Sequence, residues 1–196
     1  MIICLAEKND ALAMAQIHKT EINKGFLSSL NISFLKNLYE AIILSSASFC
    51  VVAKEGDQVT GFISGVTSIK KLYRYFFAHY FLSSSTVLFK KLFSLSFIKK
   101  VFETLLYSSK EQSLPSAELL TMAVKQQFQG KGIASQMLFT FLAEMKKRNI
   151  QQFKVLVGEE LAPAIHFYEK NGFTFFKNTT VHQGKSSRVY IYKMVN

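Results

Sequence analysis

Tryptophan is absent, and cysteine and proline occur only twice each in 196 residues. Cys4 and Cys50 both lie in short apolar, strand-like runs and read as reduced, buried thiols. Two cysteines and four scattered histidines supply neither a disulfide framework nor a metal cluster, so no metal is expected. With two prolines, nine glycines and no visible repeat, nothing reads as a linker, and a single domain over 1–196 is expected. No uninterrupted apolar run approaches the roughly 18 residues of a membrane span. The start, Met1-Ile-Ile-Cys-Leu-Ala6, lacks a basic lead and runs into Glu7, Lys8 and Asp10, unlike a secretory signal. A cytoplasmic location is expected. Acids are also scarce, 13 against 24 Lys and Arg, for a formal charge of +11. That excess suits an anionic ligand, an anionic membrane surface, nucleic acid or an acidic acceptor, or simply keeps the surface soluble.

The chain is rich in apolar residues, 49% of the total, which is ample for a core. Their spacing predicts a strand over 2–6, a helix near 9–22 and a second helix running to about residue 45. Phe49–Ala53 and Val59–Val66 read as strands joined through Glu55-Gly56-Asp57, a hairpin signal. Further strands are predicted near 118–124, 153–157, 173–180 and 187–194. Between them lie a long helix over 130–148 and a shorter one at 162–171.

The most informative stretch is Glu118-Leu-Leu-Thr-Met-Ala-Val124 followed by Gln129-Gly-Lys-Gly-Ile-Ala134. A β-type run feeds a glycine turn that opens an amphipathic helix, with Ile133, Met137, Leu138, Phe141, Leu142 and Met145 on one stripe. Gly130 and Gly132 let the main chain approach a ligand closely. The first N–H groups of the helix have no internal partner and sit at the positive end of its dipole, an arrangement that binds phosphate. Lys131 adds a mobile positive charge. No Gly-Lys-Ser/Thr follows four free positions, and a third glycine with a downstream ribose-binding acid is missing, so neither a Walker loop nor a dinucleotide fingerprint fits.

The turn resembles the Gln/Arg-x-x-Gly-x-Gly/Ala signature of the GCN5-related N-acetyltransferases, at Gln129, Gly132 and Ala134. A second stretch, Ala164-Ile-His-Phe-Tyr168-Glu-Lys-Asn-Gly172-Phe173, is similar to the same family's Ala-x-x-Phe-Tyr-x-x-x-Gly-Phe helix and turn. Locally, Pro163 suits a first helical turn and Asn171-Gly172 a left-handed cap. The resemblance spans about residues 115–180, is plausible over 1–68 and is absent over 69–112. It implies an α/β fold (an α+β mixed sheet, mostly antiparallel and flanked by helices) with acetyl-CoA as co-substrate. It also implies transfer of an acetyl group to a primary amine by direct attack.

By that resemblance, Met122, Ala123 and Val124 border the pantetheine arm, and Gln129, Gly130, Lys131, Gly132, Ile133, Ala134 and Ser135 form the diphosphate turn. Tyr168 is placed as general acid for the departing thiolate, the alternative being a packing tyrosine beside Phe167 and Phe173. Glu118 is placed as general base, directly or through water, the alternative being a solvated glutamate at a strand start. Strand alternation puts Glu118 on the same face as Met122. A carboxylate in a half-apolar cleft titrates closer to working pH. Leu161 stands where the family often has Asn, so a side-chain contact to the cofactor arm is lost or supplied elsewhere. The loop between the first two helices commonly borders the acceptor, which here brings in Phe26 and Leu27. His18, His79 and His166 are assigned no role, and no Ser-His-Asp order supports a hydrolase.

Residues 69–112 form a predicted helical insert. Eight Lys or Arg and one acid fall between 70 and 110, giving +7 of the +11. Leu72–Leu82 is apolar around nearly its whole circumference. Leu88, Phe89, Leu92 and Phe93 form one stripe, and Ile98, Val101, Phe102, Leu105 and Leu106 a second. Three readings stay open: a lid packed on the sheet or in a homodimer contact, a peripheral membrane segment, and nucleic-acid binding. Basic residues dispersed through lipophilic stripes argue against the last. An acyl-CoA sensor without catalysis, or a membrane or partner-binding role for the insert, rivals the enzymatic reading. A small-molecule amine is the expected partner, and an acyl group longer than acetyl remains open.

Overall fold

In the computed structural model the described residues are 1–22, 27–88, 114–181 and 185–194. They form one seven-stranded sheet in the order β1-β2-β3-β4-β5-β7-β6. The strands are β1 (Ile2–Leu5), β2 (Ser48–Glu55), β3 (Gln58–Val66), β4 (Glu118–Val124), β5 (Gln152–Gly158), β6 (Thr174–Val181) and β7 (Lys185–Lys193). Every neighbouring pair is antiparallel except β4 and β5, which run parallel. This is the α/β mixed sheet that the motifs imply.

Helices cover both faces. On the first face lie α1 (Ala11–Glu21), α2 (Ile32–Leu44) and α3 (Ile69–Leu88), joined in one core with Cys50, Val52, Phe62 and Ala123. On the second lie α4 (Ile133–Lys147) and α5 (Ala162–Lys170), which pack on Val51, Ile63, Leu119, Phe153 and Tyr190. The stripe of α4 is buried as its spacing requires: Met137, Phe141 and Met145 are fully enclosed, with Leu142 half-buried. Gly65 makes that contact possible, because a Cβ there would come 2.4 Å from the Phe141 ring. Arg148 pins the far end of α4, donating to the Ser46 and Ser48 carbonyls while its guanidinium lies 4.7 Å from the Phe49 ring centre.

The insert opens with α3, whose Ile69, Leu72 and Phe76 are buried against α2, Phe34 included. Lys70, Lys71 and Arg74 face solvent. The helical circumference is therefore divided: one buried stripe and one basic one. The apolar stripes expected at 89–93 and 98–106 lie outside the described residues. No helix among the described residues is long and apolar enough to cross a membrane.

Candidate active site in the opening between two parallel strands

β4 and β5 pair only at Glu118 with Lys154 and Leu119 with Val155. Beyond those two steps they part, although β4 remains paired with β3 through Val124 and β5 with β7 through Gly158. Main-chain groups on the β5 side of β4 therefore lose their strand partner from Leu120 onward. The opening lies at the carboxyl ends of two parallel strands, where open α/β sheets hold their ligands. Both helices on the second face start there, α4 after β4 and α5 after β5.

The turn into α4 is built to be approached. Gly130 and Gly132 both have φ +75°, a left-handed conformation that suits glycine, and a Cβ at either would meet nothing within 4 Å. Gly132 caps α4 without a side-chain bond, and no acid lies in the first turn. The first intrahelical bond runs from Gln136 N–H to the Gly132 carbonyl, so the three N–H groups before it point outward. Ile133 is 4% exposed and Ala134 half-buried, so their side chains pack while their amides remain available. Ser135 is exposed, and the Lys131 ammonium hovers 5.2 Å from the Phe128 ring centre. Gln129 turns its side chain inward: its amide donates to the Val124 carbonyl at 2.9 Å, tying the turn back to the end of β4.

β4 carries a bulge that strand alternation does not anticipate. Ser64 pairs with Thr121 but Gly65 pairs with Leu119, which leaves Leu120 as an extra residue. After it the faces exchange parity. Leu119, Met122 and Val124 pack with α4 and α5, whereas Leu120 and Ala123 pack with α1–α3. Glu118 precedes the bulge and alternates with Leu119, so it lies on the first face, opposite Met122. The sequence expectation of a shared face is thus corrected.

Glu118 is also not a solvated strand-start residue. Its side chain is 13% exposed, and an oxygen lies 3.7 Å from the ammonium of Lys154, itself 1% exposed. Lys154 also donates to the Pro115 carbonyl. Burial pulls the Lys154 ammonium down in pKa, and Glu118 opposes that pull. Tyr73 of α3 is raised well above the ordinary tyrosine value, first by burial and then by the charge of Glu118.

Tyr168 is 5% exposed and lies in the same apolar cluster as Met122, Val124, Ile133 and Ala134. Its ring meets Phe167 and Phe173 edge-on, with centroids 5.5 and 5.0 Å away. Among the described residues no protein group hydrogen-bonds its hydroxyl. Burial pushes its pKa well above the ordinary value, so the phenol stays protonated near neutrality. Leu161 forms the N-cap of α5 without a side-chain bond and is 44% exposed. Leu27 packs half-buried against the α1–α3 core, and Phe26 lies outside the described residues. An open cavity of about 480 Å³, lined by Thr20, Glu21, Lys125, Gln126 and Gln127, adjoins the end of α1 and the start of the turn.

Sequence reasoning missed a second buried polar group. His18 Nδ1 lies 2.6 Å from the Tyr39 hydroxyl, which also bonds the Thr121 side chain just after the bulge. Burial, with Lys19 adding to it, lowers the His18 pKa to about 4. The 21-residue separation of the pair leaves no local pattern to read. Lys154 did leave one, a charge at the inward position of Phe153-Lys-Val-Leu-Val157. Among the described residues no group of three metal-binding side chains occurs.

The Acetyltransferase (GNAT) family model matches residues 13–173. Solved structures share the fold across nearly the whole chain. Ard1 of Thermoplasma volcanium aligns with TM-score 0.64 and 16% identity, over 100% of this chain and 98% of that one. YncA of Salmonella typhimurium, solved with its cofactor acetyl-CoA, gives 0.62 and 16%, over 100% and 95%. A chimeric spermidine N-acetyltransferase, SpeG, from Vibrio cholerae and hSSAT gives 0.61 and 13%, over 98% and 94%. No curated protein matches in sequence. The matched span takes in most of α1, the opening between β4 and β5, the glycine turn and α5, and the chain belongs to the GNAT acetyltransferase family.

Proposed function

We propose that the protein is an acetyl-CoA-dependent N-acetyltransferase in which a bound primary amine attacks the thioester directly. The observation that carries this reading is the opening between β4 and β5. It ends at two left-handed glycines with free space above them and lies against the cluster that holds Tyr168. Acetyl-CoA supplies a diphosphate for that turn and a thioester for the exposed edge of β4. The first amides of α4 and Lys131 hold the diphosphate, while Gln129 fixes the turn that presents them. Main-chain N–H groups at Met122–Val124 orient the arm and polarise the carbonyl. As the N–C bond forms and the C–S bond breaks, Glu118, directly or through water, takes the amine's proton. Tyr168 gives its proton to the sulfur.

The acceptor approaches from the first face, where Glu118 and the end of α1 lie. Spermidine is the acceptor named for one fold neighbour, and a polyamine belongs in the test set for that reason alone. Leu161 favours a second reading, an acyl-CoA-binding protein without turnover, because an apolar, exposed side chain stands at the α5 cap. The exposed Lys70, Lys71 and Arg74 would serve a membrane or partner contact in either case. Thiol release from acetyl-CoA, measured with a polyamine, an amino sugar, an amino acid and a peptide amine, separates the readings. Release above the hydrolytic background with at least one amine is expected. Saturable coenzyme binding without release from any amine would favour the sensor.

A further inference from the structure

A lysine in the middle of a strand, 1% exposed and facing a protein interior, is costly unless its charge is used. Phe153 and Val155 on either side of Lys154 face the α4/α5 core, so Lys154 projects from the opposite side of the sheet, beside Glu118, its register partner in β4. Replacing the whole pair by well-packed apolar side chains is often neutral for stability, whereas removing one member strands the other charge. The pair sits one rung before the last, Leu119 with Val155, after which β4 and β5 part. This inference rests on the reading above, in which Glu118 takes the amine's proton. We propose that Lys154 is a positioning residue for that reaction: its ammonium keeps Glu118 ionised and fixed at the base of the opening, ready to accept a proton from the acceptor.

Three features support the assignment. Lys154 is itself held, since its ammonium donates to the Pro115 carbonyl and its main-chain N–H to the Ala117 carbonyl at 3.1 Å. Tyr73 of α3 lies within electrostatic reach of the carboxylate, so the first helix of the insert contributes to the environment of the base. The β3 rung opposite Glu118 is apolar. From β3, Glu118 faces Val66, which does not titrate, while His18 of α1 and Tyr39 of α2 meet β4 further along, at Thr121. The charge of Lys154 acts on Glu118 across 3.7 Å. It favours the ionised carboxylate, opposite in sign to burial.

A purely structural lysine would only tie Pro115 to β5. Lys154→Gln separates the two roles, because the amide still donates to Pro115 but carries no charge. The acidic limb of the pH profile of kcat/KM is expected to move up by about one unit in Lys154→Gln, which is about a tenfold loss at pH values on that limb. Lys154→Arg is expected to restore it. A carbon-13 NMR titration of the glutamate carboxylates, with Glu118 assigned by Glu118→Gln, reads the same shift without turnover, so an inactive variant still reports. An unmoved limb and an unmoved Glu118 titration in Lys154→Gln would overturn the proposal and leave the lysine as a pin. Wild-type kcat in Glu118→Gln would instead overturn the assignment of the base itself, and this proposal with it.

Discussion

The two faces of the sheet are built by different physics. On the second face, α4 and α5 meet the strands through an almost wholly apolar cluster, and in the proposed function ligand recognition falls to main-chain amides at a glycine turn. On the first face, buried polar groups recur within the apolar core: His18 with Tyr39 and Thr121, and Lys154 with Glu118. Main-chain recognition tolerates wide sequence change so long as the turn and the stripe persist, which suits a coenzyme common to a family. Buried charges are specific to position and sign, which suits the proposed role of this face in receiving one particular acceptor.

Variants that break one face while sparing the other sharpen this contrast. The largest effect is expected on turnover at the apolar face. Tyr168→Phe removes the proposed proton donor but keeps the ring contacts with Phe167 and Phe173, so kcat should fall about 100-fold with acetyl-CoA affinity within twofold. Equal losses in both, read by steady-state kinetics and calorimetry, would make Tyr168 a packing residue. Next comes a stability effect at the junction of sheet and α4. In Gly65→Ala the added Cβ meets the Phe141 ring, and urea unfolding should show a loss of about 2 kcal/mol.

The first face should respond to pH. His18 has a folded pKa near 4 against 6.5 as the ordinary value, so the unfolded chain takes up the proton first. The stability this site contributes is whole above pH 6.5 and is lost as pH falls towards 4, about 3 kcal/mol in all. Urea midpoints between pH 7.5 and 4.5 should therefore fall more steeply in the wild type than in His18→Gln. Parallel slopes would remove the buried imidazole from the account. The smallest effect is expected at Lys131, exposed at the turn. Lys131→Ala should weaken acetyl-CoA about threefold at low ionic strength, and the difference should fade at 0.5 M salt.

The same contrast explains what could be read from the chain. Gly130, Gly132 and the stripe from Ile133 to Met145 are local patterns, and each took the conformation its spacing predicts. Gly172, with φ +86°, took the left-handed cap expected after α5. The parting of β4 and β5 depends on register between strands over 30 residues apart, and no local pattern encodes it. The bulge at Leu120 is equally silent, and by shifting parity it moved Glu118 to the face opposite Met122. Period-2 reasoning fails wherever one residue is inserted. The partners of Glu118 and His18 likewise come from distant segments, so the sequence offered the residues without their pairing.

The account depends most on the coenzyme seat at the turn. Calorimetric titration of acetyl-CoA into wild-type protein and Gly132→Trp, with circular dichroism to check that the variant is folded, addresses it directly. Saturable one-to-one binding is expected in the wild type, weakened at least 30-fold when a side chain occupies the space above residue 132. Absence of binding in the wild type, or equal affinity in the folded variant, would contradict it.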